Sequence, residues 1–178
     1  MPAAEQGVAI SSKRYQLVPR VLCFVYAGDD VLLLLGAPDK MIWAGRYNGL
    51  GGHVERGESV QAAAEREIWE EAGLKVTELR LRGVVTVNTG EAAGIGLFVF
   101  SAEAESRETV ASAEGALEWV PTAEVGRRPC VSDVPVLLAR LAGEAPGAPP
   151  FSAAYYYDAA EALQIEFYGE KSQTAQSG

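Results

Sequence analysis

Hydrophobic residues in this chain fall in short blocks separated by glycine, proline and acidic turns, and the blocks predict the elements. Residues 21–26 (Val-Leu-Cys-Phe-Val-Tyr) and 31–35 (Val-Leu-Leu-Leu-Leu) flank the turn Gly28-Asp29-Asp30 and predict a hairpin. The second run is apolar at every position, the pattern of a strand buried on both faces. The segment Gly36-Ala37-Pro38-Asp39-Lys40 breaks the pattern and opens a loop. From Trp43 to Gly52 the chain is aromatic and glycine-rich, and Gly51-Gly52 lets backbone come close to a ligand. A helix is expected from a cap at Ser59 to Ala72, with Gly73 as its stop. Strand-like runs follow at 79–87 and 95–102, separated by Asn88-Thr89-Gly90, and a third at 117–120 ends at Pro121. Val134, Leu137, Leu138 and Leu141 recur at helical spacing behind Asp133. A loop over 143–150 leads to a closing hairpin of 151–158 and 163–168. Strands and helices mix without regular alternation, so the expected class is α+β, a mixed β-sheet sandwiched between helices as α/β/α.

Length and charge narrow the partners. With 178 residues the chain is long enough for one substantial core. Residues 1–15 read as a loose arm, 16–168 as a single domain and 169–178 as a disordered tail. The formal net charge of −9 would be repelled by a nucleic-acid backbone, which excludes a duplex partner. Charged small molecules stay open, because a bound metal reverses the local field. Cys23 and Cys130 are far apart, imply no disulfide framework and suit a reducing cytoplasm. No apolar stretch has signal-peptide length, and the run at 31–35 is far too short to span a bilayer. A soluble cytoplasmic protein, monomer or homodimer, is expected.

The densest signal lies at residues 52–74, which read G-x5-E-x7-R-E-U-x-E-E-x-G-U, with U aliphatic. At roughly 100° per residue, Glu67, Glu70 and Glu71 share a helix sector about 100° wide. Each close pair of like charges costs a few tenths of a kcal/mol on an isolated helix. A hard divalent cation with oxygen ligands offsets that repulsion. The competing reading is a solvated acidic face, with Arg66 merely an ion-pair partner of Glu70 four residues on.

Every defined position of this pattern resembles the Nudix box, and the strand order around it extends the resemblance from about 16 to 168. The resemblance implies a Nudix fold and hydrolysis of a nucleoside diphosphate linked to another moiety. It implies Mg²⁺, with Mn²⁺ as alternative, held by Glu67, Glu70 and Glu71 and completed by the backbone carbonyl of Gly51. Arg66 would hold a catalytic carboxylate in position, and Glu58 would act indirectly or order the loop. Glu67 and Glu70 are candidates to orient or deprotonate the attacking water. Glu114 is the favoured base outside the box, with Glu118 its competitor, or else a strand residue that simply faces solvent.

Residues 43–54 resemble the corresponding segment of 8-oxo-dGTP diphosphatases within that family. There an asparagine at the place of Asn48 hydrogen-bonds the purine; the alternative is that Asn48 fixes the turn before Gly49. Tyr47 is assigned either to the base or to the core. His53, the only histidine, stands where lysine is frequent and would donate to phosphate when protonated. The aspartate pair that reads oxidised guanine in the animal enzymes has no clear match. Asp133 alone is placed to substitute, or else to cap the helix at Val134. The leading expectation is a pyrophosphohydrolase releasing monophosphate and pyrophosphate from a nucleoside triphosphate, 8-oxo-dGTP first. The alternatives are ADP-ribose or another nucleoside diphosphate derivative as substrate, and a non-catalytic nucleotide sensor.

Overall fold

The structure, a computed structural model, describes residues 14–112 and 114–169. The arm at 1–13 and the tail from 170 onward lie outside the described residues. Tyr15, placed by sequence in the loose arm, is fixed: its hydroxyl donates to the Val87 carbonyl at 3.2 Å.

Strands β1 (Gln16–Ala27), β2 (Asp30–Gly36), β3 (Tyr47–Asn48), β4 (Val76–Val87), β5 (Ala93–Ala104), β6 (Gly115–Pro121), β7 (Phe151–Tyr157) and β8 (Leu163–Tyr168) form one mixed sheet. Its order is β3-β2-β1-β5-β4-β7-β8, with β6 also paired to β2. Helix α1 is Val60–Ala72 and helix α2 is Val134–Ala142.

Alternation along the central strands creates two cores. Val21, Cys23 and Val25 of β1 face the same side as Leu32 and Leu34 of β2, and pack with Ala63, Ala64, Ile68 and Ala72 of α1. Leu22 and Phe24 face the other side with Val31 and Leu33, and pack with Leu137, Leu138 and Leu141 of α2. The all-apolar run at 31–35 is thus buried on both faces, as the period-two geometry of a strand requires. The expected α/β/α layering is present.

Strand ends departed from the pattern where pairing, not burial, holds the backbone. β1 begins at Gln16, five residues before the apolar run, because β5 pairs with it in parallel from Gln16↔Ala93 to Tyr26↔Glu103. β4 begins at Val76 through an irregular stretch with register shifts and Glu78 at φ 51°. The two-residue β3 and a 3-10 turn at Thr122–Arg127 carried no recognised signal. Among the described residues, no helix is long and apolar enough to cross a membrane.

Helix α1 ends as the sequence predicts. The Ser59 hydroxyl accepts from the Ala62 amide at 3.1 Å, and Gly73 closes the other end at φ 66° with its amide donating to the Trp69 carbonyl. A Cβ on Gly73 would sit 2.8 Å from Val110 Cγ1, adding a clash to the left-handed strain. Gly73→Ala is expected to lower stability by roughly 1–2 kcal/mol. A urea unfolding midpoint that falls while the slope stays constant would bear this out; an unchanged midpoint would refute it.

Candidate active site

A cleft of about 970 Å³ has Gly51, Gly52, Glu67, Glu70 and Glu71 in its lining together with Asn48, Asp133 and Tyr155. That volume is at the upper end of ordinary ligand pockets, roughly 300–1,000 Å³.

Arg66 organises the acidic side. Its Nη2 donates to Glu58 Oε1 at 2.8 Å and to the His53 carbonyl at 2.9 Å, and its Nε to Glu58 Oε2 at 3.2 Å. Its Nη1 donates to Glu67 Oε1 at 2.8 Å and to Glu70 Oε2 at 3.1 Å. Arg66 thus makes the ion pair with Glu70 four residues on and also bonds Glu67 and Glu58. Glu58 also accepts from the Glu55 amide at 2.6 Å, which closes the loop entering α1. The Arg66 guanidinium, and after it that amide, holds the Glu58 carboxyl below the usual carboxylate range.

Glu71 behaves differently from its neighbours. It is 7% exposed, whereas the Glu70 side chain is 57% exposed, so one helix face carries a buried and a solvated carboxylate. Glu71 Oε2 accepts from the Gly51 amide at 2.8 Å. Burial, then the charges of Glu67 and Glu114, push its carboxyl up to about 8, against the opposing Gly51 hydrogen bond. Backbone comes this close only because positions 51 and 52 lack side chains. A Cβ on Gly52 would lie 2.5 Å from Glu67 Oε1, and one on Gly51, at φ 147°, would press on the Val21 carbonyl.

Among the described residues no group of three His, Cys, Asp or Glu side chains is gathered at metal-ligating spacing. Glu67 and Glu70 are instead turned onto Arg66, and Glu71 onto Gly51. The donor chemistry nevertheless suits a hard divalent cation: several carboxylates share one cleft, and one of them is buried in an environment that disfavours its charge.

The other expected site residues divide. Glu114 sits at the cleft rim in an ion pair with Lys40, Nζ to Oε2 at 3.1 Å. Its competitor Glu118 neither lines the cleft nor simply faces solvent: it accepts from the Tyr47 hydroxyl and pairs with Arg128 at 2.9 Å. Tyr47 is 6% exposed in the α2-side core and lines no part of the cleft, which corrects its assignment to the base. The two-residue β3 turns Tyr47 inward and leaves Asn48 on the opposite side, facing the cleft. Asn48 Oδ1 accepts from the Gly49 amide at 2.9 Å, so it fixes the turn while its NH₂ group stays a donor.

His53 is exposed at the rim, where its Nε2 accepts from Arg20 Nε at 3.1 Å. Arg20 thus sets a permanent cation beside His53, a neighbour that no local pattern records because the pair spans 33 positions. Asp133 is 9% exposed, lines the cleft and stands at the start of α2; its carboxyl makes no standard capping bond and meets only its own and the Val134 backbone amides.

The NUDIX domain model matches residues 16–141 of this chain. The chain belongs to the Nudix family. Among its relatives, the oxidized purine nucleoside triphosphate hydrolase of Danio rerio is 35% identical over 101 residues, covering 56% of this chain and 65% of that protein. The NAD-capped RNA hydrolase NudC of Pseudomonas syringae is 34% identical over 99 residues, covering 56% of this chain and 34% of that protein. The chain thus spans less than two thirds of these relatives. Among solved structures, the MutT protein of Bacillus halodurans superposes with a TM-score of 0.72 at 26% identity, covering 87% of this chain and all of that one. The Nudix domain of Shewanella oneidensis NrtR, solved with ADP ribose, shares the fold at a TM-score of 0.61 and 19% identity, over 80% of this chain and 97% of that one.

The buried carboxyl makes a pH prediction for the protein free of divalent cations. Glu71 keeps its proton in the folded state up to about 8, against 4.5 for an ordinary glutamate. Between those values the folded state binds more protons than the unfolded one, so the contribution of Glu71 to stability is full below 4.5 and is lost as pH rises through 8. Thermal unfolding in EDTA should show wild type losing stability over that window while Glu71→Gln stays comparatively flat. Parallel profiles for the two proteins would contradict the burial argument.

Proposed function

We propose that this protein is a divalent-metal-dependent pyrophosphohydrolase that cleaves a nucleoside triphosphate to monophosphate and pyrophosphate, with 8-oxo-dGTP as its leading substrate. The observation that carries this reading is the Arg66 network, which ties Glu67 and Glu70, both lining a nucleotide-sized cleft, to Glu58. The similarity to the Danio rerio oxidized purine nucleoside triphosphate hydrolase favours the substrate class.

Glu67, Glu70 and Glu71 would hold Mg²⁺ or Mn²⁺ together with the Gly51 carbonyl. When bound, such an ion supplies charge neutralisation to the phosphate oxygens and a more acidic water. The chain's own groups do the rest. Arg66 fixes the carboxylates without touching the substrate, and Glu58 fixes Arg66. Arg20, with His53, offers a cation to the phosphate chain at the rim. Glu114, which Lys40 keeps in place, takes the proton of the attacking water. Asn48 and Asp133 contact the base at the far end.

A panel of 8-oxo-dGTP, dGTP, the other dNTPs and ADP-ribose, incubated with Mg²⁺ and followed by chromatography of the nucleotide products alongside pyrophosphate release, tests the proposal. Wild type should release pyrophosphate from 8-oxo-dGTP preferentially, and Glu70→Gln should lower kcat by on the order of 10²-fold or more. Even turnover across the panel would remove the substrate assignment; no turnover of any compound would remove the hydrolase.

A further inference from the structure

Among the described residues, two buried side-chain atoms have no hydrogen-bond partner, Asp133 Oδ1 and Tyr155 Oη. Both residues line the same cleft. Asp133 is 9% and Tyr155 3% exposed. A buried polar atom without a partner costs desolvation energy that nothing in the free protein returns, and native folds rarely keep one without a use. Two in one cavity, on elements far apart in sequence, point to a ligand that satisfies both.

The fold explains how they meet. The 129–131 segment is tied to β3, Tyr47 N donating to the Pro129 carbonyl and Val131 N to the Tyr47 carbonyl, so Asp133 lies close to Asn48. β7 pairs in parallel with β4, which sets Tyr155 beside Val87, and β4 in turn sets Val87 beside Ile95. Val87 and Ile95 are apolar walls of the cleft. Burial raises the Asp133 carboxyl, and burial with the Asp133 charge raises the Tyr155 hydroxyl, so the two side chains feel each other without bonding. The result is a stretch of cleft with apolar walls at Val87 and Ile95 and two unpartnered polar groups near enough to feel each other's charge.

We propose that Tyr155, acting with Asp133, is a specificity-determining residue for the nucleobase, its hydroxyl and the Asp133 carboxyl oxygen hydrogen-bonding the polar edge of a purine. The assignment rests on the nucleotide reading of the cleft. A purine fits better than a pyrimidine because its two fused rings cover more of the apolar wall at Val87 and Ile95 while N7 and the 6-substituent stand side by side on one edge. Tyr155 therefore sorts bases, a task that the α1 carboxylates, which would hold a metal ion, do not share.

The test is equilibrium binding without divalent metal. 8-oxo-dGMP, dGMP, dAMP and dCMP are titrated into wild type, Tyr155→Phe and Asp133→Asn, followed by NMR shifts, with thermal melting of each free protein. Wild type should prefer the purines, and each variant should lose roughly tenfold or more of purine affinity while dCMP changes little. Tyr155→Phe should also melt at or above the wild-type temperature, because an unpartnered hydroxyl has been removed. Wild-type purine affinity in Tyr155→Phe, no base preference in wild type, or no binding of any monophosphate overturns the assignment. Turnover of triphosphates by a wild type that shows no base preference would sink this inference and spare the hydrolase. The expected tenfold loss in a protein that turns over no triphosphate would do the reverse.

Discussion

One guanidinium holds the acidic end of this protein together. Arg66 spreads its donors over Glu58, Glu67, Glu70 and the His53 carbonyl, so a single planar group fixes the loop before α1 and two carboxylates on α1. A lysine could not do this, because a point charge lacks the rigid fork that reaches several oxygens at fixed angles. Without that cation the acidic face of α1 would spread into solvent, and the cleft would lose the order that makes it a site.

The rest of the architecture serves to bring backbone and carboxylates into contact. β1 pairs with Leu50 and Gly52 through its Cys23 and Val21 amides, which pins the glycines over the sheet. α1 packs its alanines and Ile68 on the same face. Small side chains at Ala63 and Ala64 let the helix sit low, so that Glu71 is carried into the interior and reaches the Gly51 amide. The site is thus partly a consequence of close helix–sheet packing. Asn48, Asp133 and Tyr155 line the same cleft beside the apolar Val87, Ile95 and Leu97.

What the sequence made legible follows the range of each interaction. Ser59, Arg66, Glu70 and Gly73 were readable because their partners lie one helical turn away, where spacing fixes geometry. The two faces of β1 and β2 were readable from alternation. Tyr47 was not, because two residues of strand carry no period, and its inward turn depends on the Pro129–Val131 segment. Arg20 and His53, Glu118 and Arg128, Asp133 and Tyr155 meet only through strand pairing or chain crossings that no local pattern records. Glu118 is the instructive case: a strand glutamate expected to be a base or bare surface is instead locked between a tyrosine and an arginine.

The most direct test of the Arg66 account is the Mn²⁺ affinity of Glu58→Gln, read by electron paramagnetic resonance against wild type. Glu58 is assigned no ion of its own; it acts through the guanidinium it holds and through the loop it closes at the Glu55 amide. The account predicts that Mn²⁺ binding weakens by roughly 10–100-fold while the fold, followed by circular dichroism, is retained. Unaltered Mn²⁺ affinity in Glu58→Gln would contradict the claim that Arg66 positions the carboxylates.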